Sequence, residues 1–323
     1  MTYVCKQPVS HGPHGADEFH HHHSHAAASR HAGSHHLLTV EGLTVSFEMY
    51  DASASFFSAE LVESKVVHDV SLSVHQGEIC ALVGASGSGK SVVADALMGR
   101  FEPNASVTGR IWFDGALVDA SSLLSLRGRG ISHVPQGVTN LDPLMRVGRQ
   151  VRGVPSGATR RERAADARRR EQRQRELFER YGFDETTARL YPHQLSGGMV
   201  RRILLMCALM EQPKLIIADE PTPGLDVDLA LQALGDLRAF ADAGGGVLLI
   251  THDIELALGV CDRVAIFNGG TVVEETSVES FSDPSLLRDP FSRALWHALP
   301  EHGFQVASEA VVDCAAARRG RWA

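Results

Sequence analysis

Gly84 to Ser91 reads GASGSGKS, with glycine at the first and sixth places and a Lys-Ser pair closing the run. That spacing is the pattern of a loop that wraps phosphate. Gly84, Gly87 and Gly89 let the backbone curl, so that amide N–H groups through Ala85, Ser86 and Ser88 turn inward toward phosphate oxygens, and a following helix N-terminus adds a favourable dipole. Lys90 can then reach the β and γ phosphates, and the Ser91 hydroxyl can ligate Mg²⁺. Lysine is scarce here: Lys6, Lys65, Lys90 and Lys214 are all there are. One of them stands where this chemistry needs a cation.

A second stretch, LIIADE, ends in Asp219 and Glu220. Asp219 can hold the magnesium shell, and Glu220 can polarise an attacking water. Two carboxylates after an apolar strand are by themselves often only a solvated strand end; beside a phosphate loop they describe hydrolysis of a nucleoside triphosphate.

Four further motifs follow in a fixed order around LSGGM, Leu195 to Met199. The whole set resembles the nucleotide-binding subunits of ABC transporters. The resemblance implies that Ser196, Gly197 and Gly198, at the start of a helix, contact the γ-phosphate of ATP held by the opposite subunit. It implies that Gln136 in HVPQG is the glutamine that senses magnesium, attacking water and membrane partner. It makes Asp226 in PTPGLD the D-loop aspartate and His252 in LLITHD the histidine that contacts the γ-phosphate. The implied fold is an α/β P-loop NTPase, a RecA-like core with an antiparallel β subdomain and a helical subdomain. The likeness spans roughly residues 37–300.

Two stretches narrow the branch. YPHQLSGGM and DPFSRALWHALP, the latter from Asp289 to Pro300, resemble the oligopeptide, dipeptide and nickel importer ATPases. Some peptide-type members continue into a cysteine cluster for an iron–sulfur centre, but only Cys314 follows here. The chain departs from the pattern at Arg201-Arg202, where Gln-Arg is usual, and at Pro223-Gly224, where Thr-Ala is usual. For the aromatic that stacks on adenine, Tyr50 is the first choice and Phe57 the second. The branch implies a heterodimer of two ATPase subunits, two membrane permeases, an extracellular binding protein, and a place on the cytoplasmic face of the membrane.

The elements that must hold these residues can be read from periodicity. LLTVEGLTVSF and VVHDVSLSVHQGEICALVG carry strand chemistry, and YDASASFFSAELVESK between them reads as a loop or insertion. KSVVADALMG has helical spacing. PKLIIADEP and GGGVLLITHD are continuous apolar runs, suited to strands buried on both faces of a parallel sheet with ligands at their carboxyl ends. Arg160 to Glu179 is dense in Arg, Glu, Gln and Ala, and reads as a solvated helix with i,i+4 ion pairs. The expected organisation is a disordered segment 1–36, a nucleotide-binding domain 37–280 with a helical insertion at about 137–206, and a C-terminal extension 281–323.

Composition removes other classes. A formal charge of −8 argues against broad nucleic-acid binding. No apolar run approaches the roughly 18 to 20 residues that span a bilayer, and no secretory signal opens the sequence, so a cytosolic chain is expected. The five cysteines lack disulfide-framework spacing. Ten of the 17 histidines precede Leu37, among them His20, His21, His22, His23 and His25. Clustered imidazoles are ligands for Ni²⁺ or Zn²⁺, and with the branch they favour a nickel or related transition-metal importer. Peptide import is the alternative, with the histidines then a neutral tail or tag. A soluble ABC ATPase acting on nucleic acid or the ribosome is the reading from another class.

Overall fold

The computed structural model describes residues 36–50 and 61–299. The histidine cluster from His20 to His25, Phe57 and Cys314 lie outside the described residues. From the N-terminal side come β1 (His36–Tyr50), β2 (Leu61–His75), β3 (Ile79–Gly84) and α1 (Lys90–Leu97). Next are β4 (Ala105–Phe113), β5 (Ala116–Val118), α2 (Ala120–Leu126) and β6 (Ile131–Val134). A helical stretch holds α3 (Val147–Arg152), α4 (Arg160–Arg180) and α5 (Gly197–Met210). The chain then alternates through β7 (Leu215–Asp219), α6 (Val227–Asp242), β8 (Gly246–Thr251), α7 (Ile254–Leu258), β9 (Arg263–Asn268) and β10 (Thr271–Ser277), and closes with α8 (Val278–Phe281) and α9 (Pro290–His297).

Two sheets result. The larger has the order β10-β9-β3-β8-β7-β6, with β10 antiparallel on one edge and the other five strands parallel. The smaller is antiparallel, β2-β1-β4-β5. Side chains of β3 alternate between two cores: Ile79, Ala81 and Val83 face the one built with α5 and α6, and Cys80 and Leu82 face the one shared with α1 and the antiparallel sheet. A strand buried on both faces must be apolar throughout, which is why CALV and LIIA show no alternation. Parallel strands also bring their carboxyl ends to one edge, and Gly84, Asp219 and Thr251 end three neighbouring strands there.

One expectation needs correction. Leu61 to Lys65 are not loop but the first part of β2, paired with β1 from Tyr50↔Leu61 to Ser46↔Lys65. Their side chains are exposed on both faces of the ribbon, so no alternation of apolar and polar residues announces the strand. Helix α4 is capped as a helix should be, by a reciprocal box between Thr159 and Glu162, and most of its charged side chains are exposed, with an i,i+4 pair at Asp166 and Arg170. Buried Asp166 accepts from Arg169 and Arg170, and Arg170 reaches on to Glu211 at the end of α5 with both guanidinium nitrogens at 2.9 Å. The helix is bound into the fold through its arginines.

Candidate active site

The turn after β3 uses its glycines for different reasons. At Gly84 a Cβ would lie 2.2 Å from the Phe267 carbonyl oxygen, so β9 excludes any side chain there. Gly87 has open space around it but φ of +74°, and Gly89 has φ of +110°, conformations that L side chains rarely adopt. Val66 of β2 backs Gly89. No side chain caps the start of α1, which leaves its first amides as donors for an anion. Ala85, Ser86 and Gly87 are exposed, Ser88 and Ser91 half-buried, and Lys90 is buried. The Lys90 ammonium donates to the carbonyls of Gly84 and Ala85, both at 2.8 Å. Burial draws its pKa down, against the opposing pull of Glu220 and Asp219.

Asp219 ends β7 and is 3% exposed; burial pushes its carboxyl up to about 6, with the nearby carboxylates of Glu220 and Asp95 adding to the rise and Ser91's hydrogen bond and Lys90's charge opposing it. Its Oδ1 is buried without a hydrogen-bond partner among the described residues. Glu220 follows with φ of +50°, a conformation uncommon outside glycine. Its N–H donates to Ile250 O at 2.8 Å, and its Oε1 lies 3.1 Å from the His252 N–H and 2.7 Å from His252 Nδ1. Its other oxygen, Oε2, is also buried without such a partner. Buried polar atoms are nearly always satisfied, and two open carboxylate oxygens beside a cation and a ring of amides mark a binding site. Ser91 and Asp219 form a hard oxygen set, which fits Mg²⁺.

The remaining expected site residues are placed less compactly. Val134 pairs with Ala218, so the chain leaving β6 carries Gln136 out beside the strand that ends in Asp219, with its side chain exposed. Ser196 is the N-cap of α5, accepting from Met199 N at 3.3 Å, and Asp226 is the N-cap of α6, accepting from Leu229 N at 2.9 Å. Both are exposed, as is Gly197. Among the described residues no hydrogen bond joins Ser196 to Gly198 with the loop Gly84 to Ser91. Gly198 does pack onto Gly224, where a Cβ would meet the carbonyl at 3.0 Å. Tyr50 is 70% exposed and lies five residues beyond Val45, whose partner Val67 adjoins the Val66 that covers Gly89. That is roughly 16 Å along the hairpin at about 3.3 Å per residue, so the phosphate loop and Tyr50 are not brought together.

Contacts that sequence spacing does not disclose come from the two adjacent arginines of α5. Arg202 donates to Tyr181 O at 2.7 Å and lies over the Phe183 ring at 4.4 Å, fastening α5 to the end of α4. Arg201 turns the other way and donates to the Glu220 carbonyl at 3.0 Å. No local pattern signals a contact between residues 19 apart on different elements.

This combination, a phosphate loop and paired carboxylates at the carboxyl edge of a parallel sheet flanked by an antiparallel sheet and a helical stretch, defines an ATP-hydrolysing cassette. The family model described as ABC transporter matches residues 67–223. The oligopeptide transport ATP-binding protein OppD of Lactococcus lactis subsp. cremoris is 37% identical over 245 residues, 73% of this chain and 70% of that protein. The dipeptide transport ATP-binding protein DppD of Escherichia coli is 35% identical over 280 residues, 82% of this chain and 79% of that protein. Among solved structures, the dimeric post-hydrolysis form of the ATP-binding cassette MJ0796 bound to ADP and Pi is 26% identical with a TM-score of 0.61, covering 75% of this chain and 98% of that one. The chain belongs to the ABC transporter ATP-binding subunits, in the oligopeptide and dipeptide importer family, and couples ATP hydrolysis to transport. Kinship with oligopeptide and dipeptide transport ATP-binding proteins implies work with membrane permeases and a substrate-binding protein; among the described residues no helix is long and apolar enough to cross a membrane.

Proposed function

We propose that this chain is one of two different ATPase subunits of a di- or oligopeptide importer, docked on permeases at the cytoplasmic face of the membrane. The observation that carries the cargo is the naming of relatives at 37% and 35% identity for oligopeptide and dipeptide transport. The nickel expectation rested on the importer branch and on histidines that lie outside the described residues. Neither of those relatives is named for nickel, and the peptide reading takes its place.

In this reading the amides from Gly84 to Ser91, with Lys90, grip the phosphates. Ser91, Asp219 and Gln136 would hold Mg²⁺, which when bound would supply positive charge against the phosphates. Glu220 accepts a proton from the attacking water at its open Oε2 while His252 fixes Oε1. Ser196, Gly197 and Gly198 act on the nucleotide of the opposite subunit, and Asp226 lies at the same seam. The exposure of Ser196, Gly197 and Asp226, and the lack among the described residues of a hydrogen bond joining Ser196 to Gly198 with this chain's own phosphate loop, support that division. Tyr50 would meet the nucleotide at its base end only. Closure of the pair by ATP is a population shift that requires tighter binding to the closed state.

The test is ATPase activity of the assembled transporter in vesicles, with binding protein, as dipeptides, longer peptides or Ni²⁺ are added. Peptides should stimulate turnover several-fold and Ni²⁺ should not. Stimulation by Ni²⁺ with none by any peptide would remove the cargo assignment while leaving the ATPase intact.

A further inference from the structure

We propose that Arg201 is a positioning residue for hydrolysis: its guanidinium holds the main chain of Glu220 from the helix that carries Ser196 to Gly198. The proposal rests on Glu220 being the group that handles water. Three of the described contacts that fix Glu220 come from one side of it, where Ile250 accepts its N–H and His252 engages Oε1 through both its N–H and its ring. These belong to β8 and the residue just past its end, a strand buried throughout. The fourth contact is of another kind. Arg201 Nη1 donates to the Glu220 carbonyl at 3.0 Å from the second turn of α5.

Glu220 needs such a hold because its φ of +50° is unfavourable for a residue with a Cβ and persists only where the surroundings impose it. Releasing the carbonyl frees the peptide that follows Glu220, and with it the aim of the side chain. The same guanidinium also passes close to Gly224, where a Cβ would stand 3.7 Å from Arg201 Nε, and Gly198 packs on the Gly224 carbonyl. Arg201, Gly198 and Gly224 thus form one contact set between the start of α5, the loop leading to Asp226, and Glu220. Helix α5 begins at the exposed residues assigned to the opposite subunit's nucleotide. The orientation of Glu220 therefore depends on where that helix lies.

Arginine suits this post for a geometric reason. Its planar fork can span the carbonyl and the loop together, whereas lysine offers a point charge and glutamine a shorter, neutral donor.

The experiment is steady-state ATP hydrolysis by the assembled transporter carrying Arg201→Ala, Arg201→Lys or Arg201→Gln, with the thermal midpoint of each variant recorded. Arg201→Ala should lower kcat about tenfold, because Glu220 is no longer held in its productive position, with KM for ATP within twofold and the thermal midpoint lower by no more than about 4 °C, as the loss of one hydrogen bond implies. Arg201→Lys and Arg201→Gln should recover part of kcat. A kcat for Arg201→Ala within twofold of wild type would overturn the proposal alone, as would a rise in KM that tracks a fall in thermal midpoint. Wild-type turnover that survives Glu220→Gln would overturn the proposal and the assignment of Glu220 together.

Discussion

At the amino end of β3, Glu78 is fully buried and its neighbours His75 and Arg263 are buried at 5% and 9% exposure; at the carboxyl end of the same sheet, Asp219 and Glu220 are buried to the same depth, at 3% and 5%. The two ends treat that burial differently. Glu78 accepts from the His75 N–H at 2.7 Å and from Arg263 at 3.0 Å and also meets the His75 ring, while Arg263 pairs further with Glu275. Burial pushes Glu78 up, but the hydrogen bonding of His75 and the charge of Arg263 outweigh it and leave its pKa at about 2. Asp219 and Glu220 instead each keep a buried oxygen without a hydrogen-bond partner among the described residues, and burial wins at Asp219, whose pKa rises to about 6. A saturated buried charge network is structure. An unsaturated one of the same depth is a site prepared for a ligand that supplies what is missing.

That contrast can be broken most easily at the carboxyl end. Lys90→Ala should weaken ATP binding more than about 100-fold, because a buried cation is removed from the phosphates, while the thermal midpoint stays near wild type. Calorimetric titration with Mg-ATP checks it, and unchanged affinity would show that the loop is only a turn.

Glu78→Gln should do the opposite. Breaking a buried pair costs about 3 kcal/mol, so denaturant midpoints should fall while nucleotide affinity measured on the folded fraction holds. The pH dependence has a definite sign. A carboxyl whose pKa is lowered on folding adds stability above its unfolded value near 4.5, and that contribution fades as pH drops toward 2. The gap between wild type and variant should therefore narrow below about pH 4.5. A gap that stays constant down to pH 3 would mean the network does not hold Glu78 ionised.

The smallest effect is expected at Tyr50. Removing its ring by Tyr50→Ala should raise KM for ATP by about threefold at most and leave kcat alone, since stacking on a base contributes modestly and the residue is far along the hairpin. No change at all would pass the stacking role to another aromatic.

The two ends of the sheet also differ in how far their amino-acid sequence betrays them. The phosphate loop, the acidic pair and the two-face strands are legible because each is local: spacing fixes the backbone path, and burial on both faces leaves a continuous apolar run. The network around Glu78 is not, because His75, Glu78, Arg263 and Glu275 meet only after β2, β3, β9 and β10 have assembled. Arg201 is visible as a departure from the expected Gln-Arg, yet its partner cannot be inferred from spacing. The first part of β2 reads as loop because a ribbon exposed on both faces leaves no periodic trace, and with it goes any reliable placing of Tyr50. Nickel is favoured by the importer-branch resemblance and by histidines outside the described residues, and neither bears on any of these contacts.

The most direct test of the central claim replaces one atom. Glu220→Gln keeps the shape of the side chain but removes its capacity to take a proton, and general-base assistance is worth about 10²- to 10⁴-fold. In the assembled transporter, single-turnover hydrolysis should fall by at least about 100-fold while ATP affinity is retained. Hydrolysis within twofold of wild type would contradict the assignment of the open carboxylate at the carboxyl end of the sheet as the catalytic base.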